Sequence, residues 1–241
     1  MNIVRKHFAK IDSTNTWVKK NGEFLDRGKI TLVTANEQTG GRGRFSRKWH
    51  SPAGLNIYAT YAFFLEKLRA DLGNVPQLLA LSAAEALEQE GFVVKLKWPN
   101  DVLLEEKKLA GILCETTWVE KKLLVVVGIG LNVNMPTELL REIDRPATSL
   151  IVESGKEWEV EFWLGKLSEV FVLNLEKFLK EGFKGFLEEY KGRLVHSVGD
   201  QVKFHDNQKI VEGVYIGLTD DGALRLLVEG KEKVFIGGEF V

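Results

Sequence analysis

The chain has 241 residues, 44% of them hydrophobic and 28% charged, with a net charge of −1. That length accommodates one large domain, or a medium domain with a small one. The near-neutral balance excludes a global field that would draw the chain to nucleic acid or to an anionic membrane.

Met1 to Lys10 alternates apolar with basic residues and lacks the continuous apolar core of a signal peptide. Ile3 to Ile11 reads as a strand, after which Asp12, Ser13 or Thr14 can cap a short helix carrying Trp17 and Val18. Ile30 to Ala35 is a second strand, rich in β-branched residues. A glycine- and arginine-rich loop follows from Gln38 to Gly54, then a strand from Leu55 to Phe64. Pro76 to Glu90 predicts a helix: proline sits in its first turn, Leu79, Ala83 and Leu87 share a face, and Gly91 closes it.

Three strands are expected at Val93–Trp98, Val102–Glu105 and Leu109–Thr116, the last two joined by a turn containing Glu106 and Lys107. Leu123 to Val133 is the most apolar strand, which predicts a central position covered on both faces. Glu157 to Tyr190 reads as helical. Phe162, Lys166, Val170, Asn174 and Phe178 form one row, and Trp163, Leu167, Phe171 and Leu175 the row beside it. Gly182 and Gly185 are expected to split the segment. From about Arg193 short alternating runs appear, separated by Asp206-Asn207, Asp220-Asp221-Gly222 and Glu229-Gly230. Four or five such strands predict a small, separable barrel over 193–241 appended to an α+β domain over 1–192. No run of about 18 apolar residues could span a bilayer. The single Cys114 cannot form an internal disulfide. The expected location is the cytoplasm.

Four stretches carry potential chemistry. In the loop from Gln38 to Pro52, glycines allow a ligand close to the backbone, arginine forks suit carboxylate and phosphate oxygens, and Trp49 offers a flat face. Gly-Arg-Gly-Arg taken alone reads first as a solvated basic loop, and it lacks the Gly-Lys-Ser/Thr ending of a Walker phosphate loop. Lys97-Trp98-Pro99-Asn100-Asp101-Val102 is either a β-turn or a turn that presents Asn100 and Asp101 to a pocket. Lys108 opens the apolar Leu109-Ala110-Gly111-Ile112 run. It is either an edge charge or a cation directed at a ligand carboxylate. The glycines of Gly128-Ile129-Gly130-Leu131-Asn132 suggest close approach by another group, with Asn132 reading an adenine edge or closing a turn. The four histidines show no metal-ligand spacing, and there is no Gly-x-Ser-x-Gly elbow.

In this order the motifs resemble the biotin–protein ligase family. The matching residues are Ser13-Thr14-Asn15, Gln38 with Gly41-Arg42-Gly43-Arg44 and Arg47-x-Trp49-x-Ser51-Pro52, Lys97 to Asp101, Lys108 to Gly111, Gly128-x-Gly130-x-Asn132-Val133, and Ala147 to Leu150. The resemblance spans almost the whole chain. It implies a biotin/lipoate-ligase-type catalytic domain, with a mixed sheet flanked by helices, and a C-terminal SH3-like barrel. The implied reaction joins biotin to ATP as biotinyl-5′-AMP, then transfers biotin to a lysine of a biotin carboxyl carrier protein, with Mg²⁺ accompanying the nucleotide.

The resemblance assigns biotin to Ser13, Thr14, Asn15, Gln38, Gly41, Arg42, Gly43, Arg44, Lys108 and Gly111. ATP falls to Arg42, Arg44, Arg47, Trp49, Lys108 and Asn132. Catalysis falls to Lys108, Arg44 and Asp101, and Asn100 with Asp101 orients the acceptor lysine. It further implies a homodimer. Ser46 departs from the family pattern, where glycine is common, and this puts the local backbone of the loop in question. The chain opens at the catalytic domain, so the expectation is an enzyme without an operator-binding helix-turn-helix. A lipoate ligase would share the fold and chemistry with a different acid, and the Trp-Pro-Asn-Asp and Arg-Gly-Arg elements favour biotin. A nucleic-acid-binding module would need a concentrated basic face.

Overall fold

A computed structural model describes residues 1–241. The elements run β1 (Ile3–Ile11), α1 (Thr14–Lys20), β2 (Ile30–Gln38), β3 (Ile57–Leu65), α2 (Val75–Glu88), β4 (Val94–Lys97), β5 (Asp101–Leu104), β6 (Lys107–Val119) and β7 (Lys122–Leu131). Then follow α3 (Thr137–Leu140), α4 (Leu150–Ser154), α5 (Val160–Glu181), α6 (Leu187–Gly192), β8 (Gln201–His205), β9 (Ile210–Leu218), β10 (Leu224–Val228), β11 (Lys231–Phe235) and β12 (Glu239–Phe240). The first seven strands form one sheet in the order β1-β2-β3-β7-β6-β5-β4. The sheet is mixed: β1 pairs parallel with β2 and every other pair is antiparallel.

The most apolar strand does take the centre, as its composition requires. The two faces of β7 serve different purposes. Val125, Val127, Ile129 and Leu131 point into the main core with α2 and α5. Leu124 and Val126 point the other way, into a small cluster with Val18 of α1. Period-two alternation then puts Gly128, Gly130 and Asn132 on the α1 face as well. Past the end of the small cluster that face has no side-chain layer of its own. Cys114 lies on the core face, and burial pushes its thiol up to about 12, so it remains protonated near neutrality.

Local signals explain most boundaries. Ser13 caps α1 by accepting from the Thr16 amide at 3.4 Å. Pro76 sits in the first turn of α2. Helix α5 buries Trp163, Leu167, Phe171 and Leu175, the second of the two expected rows, together with Leu164, Ser168 and Phe178. Gly182 at φ 77 ends it, whereas Gly185 lies inside a 3₁₀ turn and breaks nothing. The β5–β6 turn is Glu105-Glu106, both at positive φ as a type I′ hairpin requires, and Lys107 already pairs with Leu104.

The tail forms a five-stranded antiparallel sheet, β11-β10-β9-β8-β12. It is less independent than its texture suggests. Val202, Phe204, Leu224, Leu226 and Phe240 belong to the same buried cluster as Trp98, Leu96 and Tyr190. The hairpin at Asp221-Gly222 is pinned to the other unit. Gly222 O accepts from Trp98 Nε1 at 3.0 Å and from Gln77 Nε2 at 2.8 Å, and Asp221 O accepts from Asn74 Nδ2 at 2.8 Å.

Gly222 has φ 75, and a Cβ there would come 2.6 Å from Asn74 Nδ2. Gly222→Ala is therefore expected to lower stability by about 2 kcal/mol, from the left-handed backbone and the displaced hydrogen bonds together. Urea unfolding monitored by tryptophan fluorescence measures this. A change of a few tenths would show that the hairpin does not press on α2.

Candidate active site

The uncovered half of the sheet is the floor of a cleft of about 1210 Å³, open mouth included. Cross-strand pairing builds the floor in rows. One row runs Tyr58, Gly130, Gly111, Asp101 and Lys97 across five strands. The row beside it holds Thr60, Gly128 and Leu113. On the two central strands, β7 and β6, the first row carries only glycine, which leaves a trough about two strand spacings wide.

Each of these glycines has a neighbour that needs the space. A Cβ at Gly128 would meet Asn15 Oδ1 at 2.2 Å, and one at Gly130 would meet the Trp49 ring at 2.2 Å. At Gly111 it would meet Lys108 Cε at 2.9 Å and the Trp49 ring at 3.0 Å. The Gly-x-Gly of β7 is thus a pair of seats, one for an asparagine from α1 and one for an indole from the arginine loop.

Lys108 reaches this face through a β-bulge. Val102 pairs with Ala110 and Leu103 with Lys108, so Leu109 has no partner on β5. Without the bulge, alternation from Gly111 would turn Lys108 toward the core. The extra residue sends Leu109 and Ala110 inward and turns Lys108 into the cleft. Its Nζ donates to Asp101 Oδ1 at 2.6 Å and lies 5.6 Å from the Trp49 ring centre. The segment from Pro146 to Thr148 brackets the Lys108 backbone with two hydrogen bonds of 3.0 Å.

At one end of the cleft the polar groups are neutral and interlocked. Gln38 Oε1 accepts from the Thr14 amide at 2.9 Å and from Thr14 Oγ1 at 3.2 Å, and Gln38 Nε2 donates to Ser51 Oγ at 3.1 Å. Thr60 Oγ1 lies 2.7 Å from both Thr14 Oγ1 and Asn15 Oδ1. Gly41 fits because a Cβ would come 2.7 Å from Ser51 Oγ and Trp49 O.

The arginine loop is an ordered hairpin. Trp49 N donates to Gly41 O at 2.9 Å and Gly43 N to Arg47 O at 2.7 Å. Its tip is Phe45-Ser46, with φ 54 and 58. Ser46 therefore occupies a left-handed position where glycine would be at ease. The hairpin is retained but strained by about 1–2 kcal/mol at each of the two residues.

The tail holds this tip. Arg47 makes a bidentate ion pair with Glu239, and Arg44 Nη1 donates to Gly238 O at 2.8 Å and to Asn100 Oδ1 at 3.1 Å. Burial lowers the Arg44 pKa, while the Glu239 hydrogen bond raises that of Arg47. Burial pushes the Glu239 carboxyl up, but Arg47, Arg145 and Arg44 together outweigh it and hold it below the usual range.

The structure brings every residue singled out in the sequence to this cleft or its immediate frame, in differing settings. Ser13, Thr14, Asn15, Gln38, Arg42, Gly43, Arg44, Arg47, Trp49, Asn100, Asp101, Lys108, Gly111 and Asn132 line it, and Gly41 sits behind the loop. Asn100 is committed on both ends of its amide, since Nδ2 donates to Ile112 O at 2.8 Å while Oδ1 accepts from Arg44. Asn132 Nδ2 donates to Thr148 O at 3.0 Å, and its Oδ1 is buried without a partner, as is Trp49 Nε1.

Sequence reading assigned no role to Lys97, Arg145, Glu115 or Glu239. Lys97 was open to inference from its two-stranded turn, which places it opposite Asp101. The others come from distant segments and leave no local signal. Burial lowers the Lys97 pKa, and an incoming anion would offset that by favouring the charged ammonium. Arg42, Arg44, Arg47, Lys48, Lys97, Lys108 and Arg145 face two carboxylates, Asp101 and Glu239, in a chain whose overall charge is −1. The positive field is therefore local to the cleft. No group of three His, Cys, Asp or Glu residues is placed to hold a metal ion.

Residues 7–132 match the biotin/lipoate A/B protein ligase family, and residues 198–241 match the biotin protein ligase C terminal domain. The chain is 32% identical over 231 residues to the bifunctional ligase/repressor BirA of Salmonella typhimurium, covering 95% of this chain and 71% of that one. It is 31% identical over 229 residues to biotin–protein ligase 2 of Arabidopsis thaliana, covering 89% and 66%. The solved structure of biotin protein ligase from Aquifex aeolicus in complex with biotin and ATP is similar with a TM-score of 0.80 at 34% identity, covering 100% of this chain and 97% of that one. With both of its segments matched, and with relatives above 30% identity over most of its length, the chain belongs to the biotin–protein ligase family.

Proposed function

We propose that the cleft activates biotin with ATP and delivers it to a lysine of a biotin carboxyl carrier protein. The observation that carries this reading is the concentration of cations around Lys108, in a cleft whose α1 end is neutral and hydrogen-bonding. A ureido ring suits the neutral end at Ser13, Thr14, Asn15 and Gln38. A carboxylate and a triphosphate suit the cationic part, and adenine suits Trp49 with the unpartnered Asn132 Oδ1.

In the first step a biotin carboxylate oxygen attacks the α-phosphorus and pyrophosphate leaves. Little covalent chemistry falls to the protein, so positioning and charge stabilisation dominate. Lys108 is placed to stabilise the charge shared by carboxylate and α-phosphate, with Arg42 and Arg44 closing over them. Arg47 would join the phosphates by exchanging Glu239 for them. In the second step the acceptor ε-amine attacks the acyl carbon, AMP leaves and a proton is lost. Asp101, which accepts a hydrogen bond from Lys108, is the carboxylate placed to orient that amine, and Asn100 fixes the turn beside it. Mg²⁺ would enter with the nucleotide, where it would supply positive charge to the phosphates, since no group of three His, Cys, Asp or Glu residues is placed to hold a metal ion.

We further propose two units, 1–192 for catalysis and 193–241 as an SH3-like barrel that steadies the arginine loop through Gly238 and Glu239. A homodimer through the catalytic sheet and a cytoplasmic location complete the reading. No helix is long and apolar enough to cross a membrane.

The direct test is incubation with ATP, biotin and pyrophosphatase, followed by mass spectrometry. Biotinyl-AMP is expected, and lipoyl-AMP in its place would overturn the assignment of the acid. Lys108→Ala is expected to slow pyrophosphate release about a hundred- to a thousandfold with the fold retained. Near-parent release would remove Lys108 from the reaction. Gly130→Ala puts a methyl group into the Trp49 seat, so calorimetry should show ATP binding weakened about tenfold or more and biotin binding much less affected. An equal loss for both ligands would contradict the placement of adenine.

The Glu239 carboxyl is held low, so its contribution is complete above the ordinary glutamate range and disappears as pH falls through the lowered value. Urea midpoints of the parent and of Glu239→Gln should differ steadily above about pH 5 and draw together as pH falls through the lowered value. Midpoints that coincide at neutral pH would show that the Arg47 pair does not stabilise the loop.

A further inference from the structure

Glu115 lies on β6 directly opposite Val126, on the face that carries α1. Its carboxylate gathers groups from three segments. Oε2 accepts from Asn15 Nδ2 at 3.1 Å, and Oε1 accepts from Lys19 Nζ at 2.5 Å and lies 3.7 Å from Arg42 Nη2. Arg42 Nη2 donates to Thr16 Oγ1 at 3.2 Å, so the arginine lies between α1 and the Glu115 carboxylate of β6.

The contact with Asn15 fixes more than a position. Asn15 Nδ2 donates to Leu113 O at 3.2 Å as well as to Glu115. With two acceptors on that side, the carboxamide has one orientation. A flipped amide would set its oxygen against a carbonyl and a carboxylate, acceptor against acceptors. Oδ1 is therefore turned to Thr60 and over Gly128, at the floor of the cleft. Burial pushes the Glu115 carboxyl up, but Lys19, Asn15 and Arg42 outweigh it, so it remains anionic at neutral pH.

We propose that Glu115 is a positioning residue that sets the neutral end of the cleft as a hydrogen-bond acceptor and so selects an acid bearing a cyclic urea. The inference rests on the ligase reading given above. A urea ring carries two N–H donors, and an oxygen at Gly128 complements them where an amide N–H would repel them. An acid whose ring has no donor, such as a dithiolane, gains nothing from that oxygen. Glu115 touches no reacting atom; it acts through Asn15.

The test uses the full chain, with calorimetry for biotin and for ATP and a thermal melt for each variant. Glu115→Ala frees the Asn15 amide to rotate. It is expected to raise the biotin Kd about tenfold while the ATP Kd stays within about twofold. Glu115→Gln keeps an oxygen for Asn15 Nδ2 and should recover biotin affinity to within about threefold of the parent, although it loses the charge that holds Lys19. A purely structural role predicts a different pattern: both ligands weaken together and the melting temperature falls. That pattern, an unchanged biotin Kd in Glu115→Ala, or a glutamine variant no better than alanine would each overturn the proposal. A parent chain that fails to bind biotin would overturn the ligase reading itself, so the two failures are distinguishable.

Discussion

Side chains on a strand alternate between faces, and Lys108 reaches the cleft because that alternation is broken once, at Leu109. The rest of the site depends on this interruption. It turns a lysine away from the core beneath α2 and toward Asp101, which stands in the same cross-strand row as Gly111 and Gly130. A buried lone ammonium would be costly, and a carboxylate at 2.6 Å with a half-open cleft above removes most of that cost. The backbone of residues 146–148 pairs with Lys108 on its other side, so the strand cannot slip by one residue to relieve the bulge.

Around that fixed cation the protein separates its charges by element. The sheet contributes Lys97, Asp101 and Lys108 from rigid strands, while Arg42, Arg44 and Arg47 come from a hairpin whose tip is strained. Rigid parts suit groups that act on reacting atoms, and a strained tip suits groups that must rearrange around a ligand. Glu239 and the Gly238 carbonyl offset the strain from the far end of the chain. This gives the small C-terminal sheet a physical role at the cleft, in addition to the hydrophobic burial it shares with Trp98 and Tyr190.

Much of this was legible in the sequence, and the remainder failed to be for a common reason. Alternation and β-branching gave β1, β3 and β7 to within a few residues, and the unbroken apolar run of β7 gave its central place. Pro76 and Gly91 bracketed α2. The glycines at 128 and 130 signalled close approach, though not what approaches them. Features that depend on pairing register or on distant partners left no local trace. The bulge at Leu109 is visible only against β5. The hairpin form of the arginine loop depends on Gly41 lying beneath Trp49. Glu115 and Glu239 read as ordinary surface carboxylates until Asn15 and Arg47 are placed beside them. The apparent independence of the tail came from its texture, which says nothing of the buried surface it shares.

The glycine trough has a consequence for the folded state as a whole. Two neighbouring strands lack a side-chain layer on one face, so the molecule is a sheet with a piece of its packing missing, covered for the moment by an indole whose N–H has no acceptor. Whatever settles on Gly111 and Gly130 replaces that missing layer. Substrates are then structural material as well as reactants, and the chain should resist heat and proteases in proportion to how fully its cleft is occupied. Turnover, by emptying the cleft, repeatedly returns the protein to its less complete form.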